Sequence, residues 1–225
     1  MKKTIGNPQF INENIAEKIK NTKINLEYIK KKKDFKDQII LEINSDDVVL
    51  DIGKTMGEKY DLINSKIKQT LDMNDFGDYP DIVFDLCSEM NSEIYEKYDK
   101  IICLAILEHI YNPFKAVENL TKMLKKDGTL FGYVPFLYHY HAHKNLKFQD
   151  YFRFSKDALI YLLKDFKNLE LYPYRGRYSH AFNIMFPGRW KKYVEKTGIN
   201  IFLDKFASDD KNIKQCSGYY FIAKK

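Results

Sequence analysis

The chain has 225 residues, of which 44% are hydrophobic, and a formal net charge of +6. That is enough for one domain with a full core, and too apolar for wholesale disorder. No apolar run approaches a membrane span, the longest being Ile101 to Leu107, and a modest positive charge in a lysine-rich chain does not imply a nucleic acid partner.

Lys2 and Lys3 have no apolar core behind them, so no secretion signal is expected. Cys87, Cys103 and Cys216 lie far apart without metal-ligand spacing and read as buried thiols of a reducing, cytoplasmic compartment. Residues 1–46 carry a lysine-rich helical pattern, with Ile15, Ile19, Leu26 and Ile29 at helical spacing. The run Lys30 to Lys33 reads as a solvated helix end, a phosphate-binding patch being the sharper alternative.

Val48 to Gly57, V-V-L-D-I-G-K-T-M-G, reads as a buried parallel strand closing in an acid and glycines, then turning into a short helix over Glu58 to Ser65. Such a turn brings backbone N–H groups close to a ligand. It is also the pattern of a strand-turn-helix corner that binds nothing. Lys66 to Met73 predicts a second strand. Asp72 at its end stands where nucleotide-binding folds hold a ribose hydroxyl, about 20 residues beyond the first strand. Asp81 to Leu86 predicts a third strand, and Asp85 at its end also suits the cap of a helix over Ser88 to Glu96.

Tyr98 to Leu107 is the clearest buried strand. It runs into L-E-H-I, Leu107 to Ile110, and a helix opened by Asn112-Pro113 in which Phe114, Val117, Leu120, Met123 and Leu124 keep helical spacing. Lys125 to Gly128 end that helix, and Thr129 to Val134 predicts the fifth strand. Pro135 opens P-F-L-Y-H-Y-H-A-H-K-N-L-K-F-Q-D-Y-F-R-F-S. His139, His141 and His143 alternate there, so in a strand they would share one side. Three imidazoles suit zinc, but neighbours two apart on one strand cannot easily surround an ion, and no metal is expected. Ser155 is placed to cap a helix over Lys156 to Leu163. Leu169 to Tyr174 and Gly218 to Ala223 predict the last strands. The long connection between them, with Arg175, Arg177, His180, Arg189 and Trp190, is a specificity segment or an amphipathic cover.

Strand-helix alternation with short connections calls for a mainly parallel sheet whose ligands sit at the carboxyl ends of the strands. Asp51, Gly53 and Gly57, and more specifically Y-D-K-I-I-C-L-A-I-L-E-H-I followed by a helix and L-K-K-D-G-T-L, resemble the class I S-adenosylmethionine-dependent methyltransferases. Their first motif is D-x-G-x-G-x-G; here Thr55 replaces the middle glycine, preceded by Lys54. The resemblance covers Val48 to Pro135. It implies a Rossmann-like, doubly wound, mainly parallel seven-stranded sheet with helices on both faces and an antiparallel last strand. It also implies one domain: an N-terminal helical cover (1–46), a cofactor-binding half (47–135) and a substrate-side half (136–225) with an insertion at about 175–217.

For S-adenosylmethionine the resemblance implies Asp51, Gly53, Lys54, Gly57, Asp72, Met73, Asp85, Leu86, Ala105 and Glu108. Asp85 would lie near the adenine amino group. The P-F and D-Y-x-R-F-S segments resemble a subgroup associated with bacterial surface-glycan and capsule synthesis, which places the acceptor beside that loop. Tyr138, Arg153, Arg175 and Arg177 are the expected substrate contacts, although Arg153 could equally pair with Asp150. Lys144, Lys147 and the arginines suggest a small anionic acceptor, a phosphorylated sugar or glycan precursor. An oxygen acceptor must lose a proton, and His143, His141 and His109 are the candidate bases. Two other readings compete: a non-catalytic binding or regulatory protein whose Lys54 and Thr55 obstruct the cofactor, and an NAD enzyme. The NAD enzyme shares the acid after the second strand but is disfavoured by the L-E-H-I segment and the missing tight G-x-G.

Overall fold

The computed structural model describes residues 13–30, 33–145, 147–186 and 196–225; Lys2, Lys3, Lys31, Lys32, Arg189 and Trp190 lie outside them. Eight strands form one sheet: β1 Lys23–Ile24, β2 Val48–Ile52, β3 Ile67–Asp72, β4 Ile82–Val83, β5 Tyr98–Leu104, β6 Leu124–Pro135, β7 Asn168–Tyr174 and β8 Gly218–Lys224. Their order is β1-β7-β8-β6-β5-β2-β3-β4. All neighbouring pairs are parallel except those of β8, which runs antiparallel between β6 and β7. The eighth strand, absent from expectation, is β1, which adds two residues to the edge beside β7.

Side chains alternate across the sheet, as a pleated strand dictates. Leu50, Ile101, Cys103, Leu130, Leu171 and Phe221 enter one core. Val49, Ile102, Leu104, Phe131, Tyr172 and Ile222, displaced by one position, enter the other. Helices cover both faces. The first core takes α4 (Pro113–Met123) and α5 (Lys156–Leu162). The second takes α2 (Glu27–Lys30) and α3 (Phe35–Leu41), with Tyr28 and Phe35 packed on Tyr172 and Tyr220. The N-terminal segment thus wraps the sheet edge, since α1 (Glu13–Asn21) reaches the opposite face. There Lys18 Nζ donates to the Phe166 carbonyl at 2.5 Å.

Local signals explain several boundaries. Asn112 accepts the Lys115 N–H and Pro113 opens α4; Ser155 caps α5 by accepting the Ala158 N–H. Three expectations fail. The segment Ser88 to Glu96 is no helix: it forms only a 3-10 turn at Ser92–Ile94. Asn119 Nδ2, buried on α4, donates to Leu86 O at 2.8 Å and Ser88 O at 2.9 Å, so those carbonyls serve a long-range partner instead of a helix. The expected third strand shrinks to Ile82–Val83, because Asp81 takes the Thr70 N–H at 2.6 Å, a donor the sheet ladder would otherwise use. And Lys125 to Gly128 belong to β6, as a bulge opposite Tyr98–Lys100 with Asp127 at φ +61°.

The connection from Arg175 to Ser217 holds α6 (Arg177–Met185) and helices at Ile199–Asp204 and Asp209–Lys214. Buried Asp204 ties it together by accepting the Tyr178 and Ser179 N–H groups at 2.8 and 3.0 Å. In the charge run, Lys30 pairs with Asp209 and Lys33 with Glu27, as a solvated surface would. No helix among the described residues is long and apolar enough to cross a membrane.

Candidate functional site

A cavity of about 420 Å³ opens at the carboxyl ends of β2, β3, β4 and β5. Of the residues expected to hold a cofactor, Gly53, Asp72, Met73, Asp85, Leu86 and Ala105 line it, joined by His109 and His143.

Gly53 follows β2 at φ +71°, and a Cβ there would lie 2.9 Å from Ile106 Cδ1, which also lines the cavity. Asp72 ends β3. Its Oδ1 accepts the Asn74 N–H at 2.9 Å and its Oδ2 the Tyr79 hydroxyl at 3.1 Å. Burial, with the neighbouring Asp72 carboxylate, pushes the Tyr79 phenol up. Asp85 accepts the Cys87 N–H at 2.8 Å, capping a turn and not the expected helix. Ala105, at the end of β5, holds φ +55°, a left-handed conformation costing a non-glycine residue about 1 kcal/mol or more.

Four expected cofactor residues lie outside the lining. Asp51, fully buried, accepts the Thr55 N–H and hydroxyl at 2.9 and 2.8 Å and the Met56 N–H at 2.9 Å. Burial raises its pKa, with the Met56 and Thr55 donors pulling back. Asp51 therefore builds the turn from beneath. Lys54, at φ +49°, sends its ammonium over the Tyr60 ring, 5.7 Å from the centroid. Gly57, at φ +58°, starts the 3-10 turn Gly57–Leu62, and Lys36 of α3 braces this corner by donating to Thr55 O at 2.6 Å. Neither Lys54 nor Thr55 is part of the cavity lining.

Glu108 is the fourth. It is fully buried, with no hydrogen-bond donor at either carboxylate oxygen. His109 Nε2 and His141 Nε2 each stand 3.8 Å from its Oε1. The facing Glu108 carboxylate lifts the His141 pKa above the ordinary imidazole value, against desolvation. The alternating set His139, His141, His143 does not converge. Among the described residues, the cluster with metal-binding geometry is Glu108, His109 and His141.

The loop after β6 closes over the cavity. His143, Lys147 and Phe148 line it, and Phe148 packs on His109 with ring centroids 4.5 Å apart. Phe148 was not foreseen, its only sequence signal being membership of the histidine-arginine run, and Lys147 was expected only as part of the positive charge facing an anionic acceptor. Arg153 holds this loop. Its guanidinium donates to Tyr138 O, Phe152 O and His139 O and to both oxygens of Asp150. Five N–H groups thus meet five acceptors, and the salt-bridge alternative describes Arg153 better than the substrate contact. The Arg153 guanidinium holds the Asp150 carboxyl down at about 2. Tyr138 packs on His141, with centroids 5.3 Å apart. Arg175, at φ +52° after β7, stacks on Tyr174, and Arg177 opens α6. None of Tyr138, Arg153, Arg175 and Arg177 is part of the cavity lining.

Solved structures share this fold. A SAM-dependent methyltransferase from Archaeoglobus fulgidus matches with a TM-score of 0.51 at 13% identity, over 84% of this chain and 90% of the other. Phosphoethanolamine N-methyltransferase 2 of Haemonchus contortus, in complex with phosphomonomethylethanolamine and S-adenosylhomocysteine, matches at 0.51 and 14%, over 84% of this chain and 52% of that one. The 4+2 cyclase SpnF matches at 0.50 and 13%, over 85% and 80%. No family model matches the sequence, and no curated protein does. At these identities the likeness establishes the Rossmann-like methyltransferase fold. The cyclase marks how far chemistry on that fold can vary.

Proposed function

We propose that this chain binds S-adenosylmethionine and transfers its methyl group to a small acceptor. One observation carries the reading: Gly53, Asp72, Asp85 and Ala105, from four different strand ends, converge on one cavity. Its volume lies in the range of small-molecule sites, about 300 to 1,000 Å³. Asp72 suits ribose hydroxyls, because a carboxylate accepting two protein donors keeps lone pairs to spare. Asp85, on the next strand, suits the adenine end. Gly53 supplies the close backbone approach that a side chain would close.

When bound, that cofactor supplies a methyl group on a positively charged sulfur and departs as a neutral thioether. The chain's own work is alignment and exclusion of water, which falls to Phe148 and the loop above it. For an oxygen acceptor the proton also needs a destination. His143 is a poor one, because its Nδ1 accepts the Asn145 N–H at 3.1 Å, which leaves the ring proton on Nε2. His109 is better placed. Its Nδ1 contacts the Gln149 carbonyl and carries the proton, which leaves the Nε2 lone pair beside Glu108. We assign acceptor activation to the Glu108, His109 and His141 cluster.

Arg175 and Arg177, which stand at the exit of β7 outside the cavity lining, support an anionic acceptor. A phosphate-bearing sugar or glycan precursor, of the kind used in surface or capsule polysaccharides, suits their planar donors. The Haemonchus contortus relative of this fold holds a phosphorylated small molecule.

Calorimetry against S-adenosylhomocysteine and NAD tests the cofactor; saturable binding of the first alone is expected, and binding of NAD alone would overturn the reading. Turnover with phosphorylated and neutral sugars tests the acceptor. Arg175→Ala and Arg177→Ala should raise its KM while leaving cofactor affinity unchanged. Normal kinetics in both variants would remove the anionic acceptor and leave the cofactor in place.

A further inference from the structure

Glu108, His109 and His141 present three electron-pair donors to one another. Glu108 is fully buried and neither oxygen has a hydrogen-bond donor. The two imidazole Nε2 atoms, at 3.8 Å from Oε1, stand beyond hydrogen-bond length. All three ligand atoms fall within 4.8 Å of one another. Desolvating a carboxylate without a donor costs several kcal/mol, so the arrangement calls for a positive charge at its centre.

The hydrogen bonds behind the rings set which nitrogens carry protons. His109 Nδ1 contacts the Gln149 carbonyl, which can only accept. His141 Nδ1 lies 3.1 Å from the His139 carbonyl and 3.3 Å from Asp150 Oδ2, both acceptors. Arg153 Nη2 approaches the same nitrogen at 3.4 Å, farther than either. Each neutral ring therefore holds its proton on Nδ1 and turns a bare Nε2 toward Glu108. Ligating histidines are oriented in this way, by a carbonyl or carboxylate on the opposite nitrogen. Asp150, clamped by Arg153, completes that outer support for His141.

We propose that Glu108, His109 and His141 form a binding site for a divalent transition-metal cation of the zinc class. Two imidazoles and one carboxylate suit zinc and its neighbours better than magnesium or calcium, which favour all-oxygen sets. Zinc bonds of 2.0 to 2.1 Å at tetrahedral angles set ligand atoms about 3.3 Å apart, so the two 3.8 Å separations to Glu108 would close by about 0.5 Å and the separation of the two imidazoles, within 4.8 Å, by up to about 1.5 Å. Three protein ligands leave a position open. His109 lines the cavity, so that position lies beside it. This assigns His141, from the alternating set, to an ion that His139 and His143 do not share. With the ion bound, His109 Nε2 is a ligand and no longer a proton acceptor, and the ion takes over the lowering of the acceptor's pKa; that use rests on the methyl-transfer reading, and the binding of the ion does not.

Chelator-stripped full-length protein, titrated with zinc chloride in a calorimeter, tests the site. One ion per chain is expected. Glu108→Gln and His141→Ala should each weaken binding at least tenfold, and His139→Ala should leave it unchanged. Cobalt substitution should give the visible absorption of a four- or five-coordinate ion, lost in His141→Ala. Thermal melts check that the variants fold; His141 sits in a loop and is half-exposed, so its variant remains informative if Glu108→Gln fails. No zinc binding by the native chain, or undiminished binding in the variants that fold, overturns the proposal. Zinc binding without S-adenosylhomocysteine binding would sink the methyl-transfer reading and leave the metal site standing.

Discussion

Asp72→Asn tests the proposed ribose contact. The Asp72 carboxylate already accepts the Asn74 N–H at 2.9 Å and the Tyr79 hydroxyl at 3.1 Å. An alanine would remove these loop bonds together with any ribose contact, so its weaker binding would not be diagnostic. Asparagine keeps one acceptor for Asn74 and removes the charge, turning half of the group into donors. A hydrogen bond to a charged acceptor contributes roughly 1.5–3 kcal/mol and a neutral one about 1. Two ribose hydroxyls moved from a carboxylate to an amide should therefore lose about 2 kcal/mol, or about 30-fold in Kd. Calorimetric titration with S-adenosylhomocysteine reads that change, and urea unfolding shows whether the loop is intact. Tyr79→Phe is the matched control: it removes a loop donor from the same carboxylate and should leave affinity within about threefold. Asp72→Asn with native stability and affinity within threefold of the parent would refute the ribose assignment.

Gly132→Ala should lower stability by about 2 kcal/mol or more, because the added Cβ would lie 2.0 Å from Phe221 Cζ on the neighbouring strand. A parental urea midpoint would mean that the Phe221 ring swings aside at no cost. Asp51→Ala strands the Thr55 and Met56 N–H groups beneath the turn and should cost about 2–4 kcal/mol in urea unfolding; unchanged stability would deny Asp51 its structural role. Arg153→Lys keeps the charge but cannot match both Asp150 oxygens and three carbonyls at once. Limited proteolysis should cut that variant faster between residues 138 and 150 at an unchanged global melting temperature, and equal cleavage rates would show that the clamp does not hold the loop.

The strands were legible because burial on both faces writes near-continuous apolar runs, as in Ile101, Ile102, Cys103 and Leu104. What local pattern could not carry was the reassignment of hydrogen bonds by distant partners. The Leu86 and Ser88 carbonyls go to Asn119, more than 30 positions away, and a plausible helix disappears. A two-residue strand such as β1 has no periodicity to read; its backbone partners are Glu170 and Leu171. Within the site, Gly53, Asp72 and Asp85 were readable because each follows a strand, and strand ends are where such sheets bind. Glu108 was readable as a motif but not as a buried carboxylate facing two imidazoles, since His141 arrives from a loop whose position depends on the Asp150–Arg153 pair. Lys147 and Phe148 reach the cavity through the same loop and share that dependence.

The altered glycine loop turns on where side chains go. A glycine is required only where a Cβ would enter ligand space or meet a neighbour it cannot displace. At Thr55 that condition fails: the hydroxyl donates to Asp51 at 2.8 Å, so the side chain is drawn under the turn, and the residue supplies a bond that glycine could not. At Lys54 the cost is conformational. A left-handed φ of +49° is unfavourable for lysine, offset in part by its ammonium resting over Tyr60. Gly53 has no such escape. Its φ is +71° and its missing Cβ faces Ile106 Cδ1 at 2.9 Å, inside the lining, so any side chain would cost backbone strain and force Ile106 to move. The one strictly spatial glycine has been kept, and the positions that departed from the pattern are those whose side chains the turn can direct elsewhere.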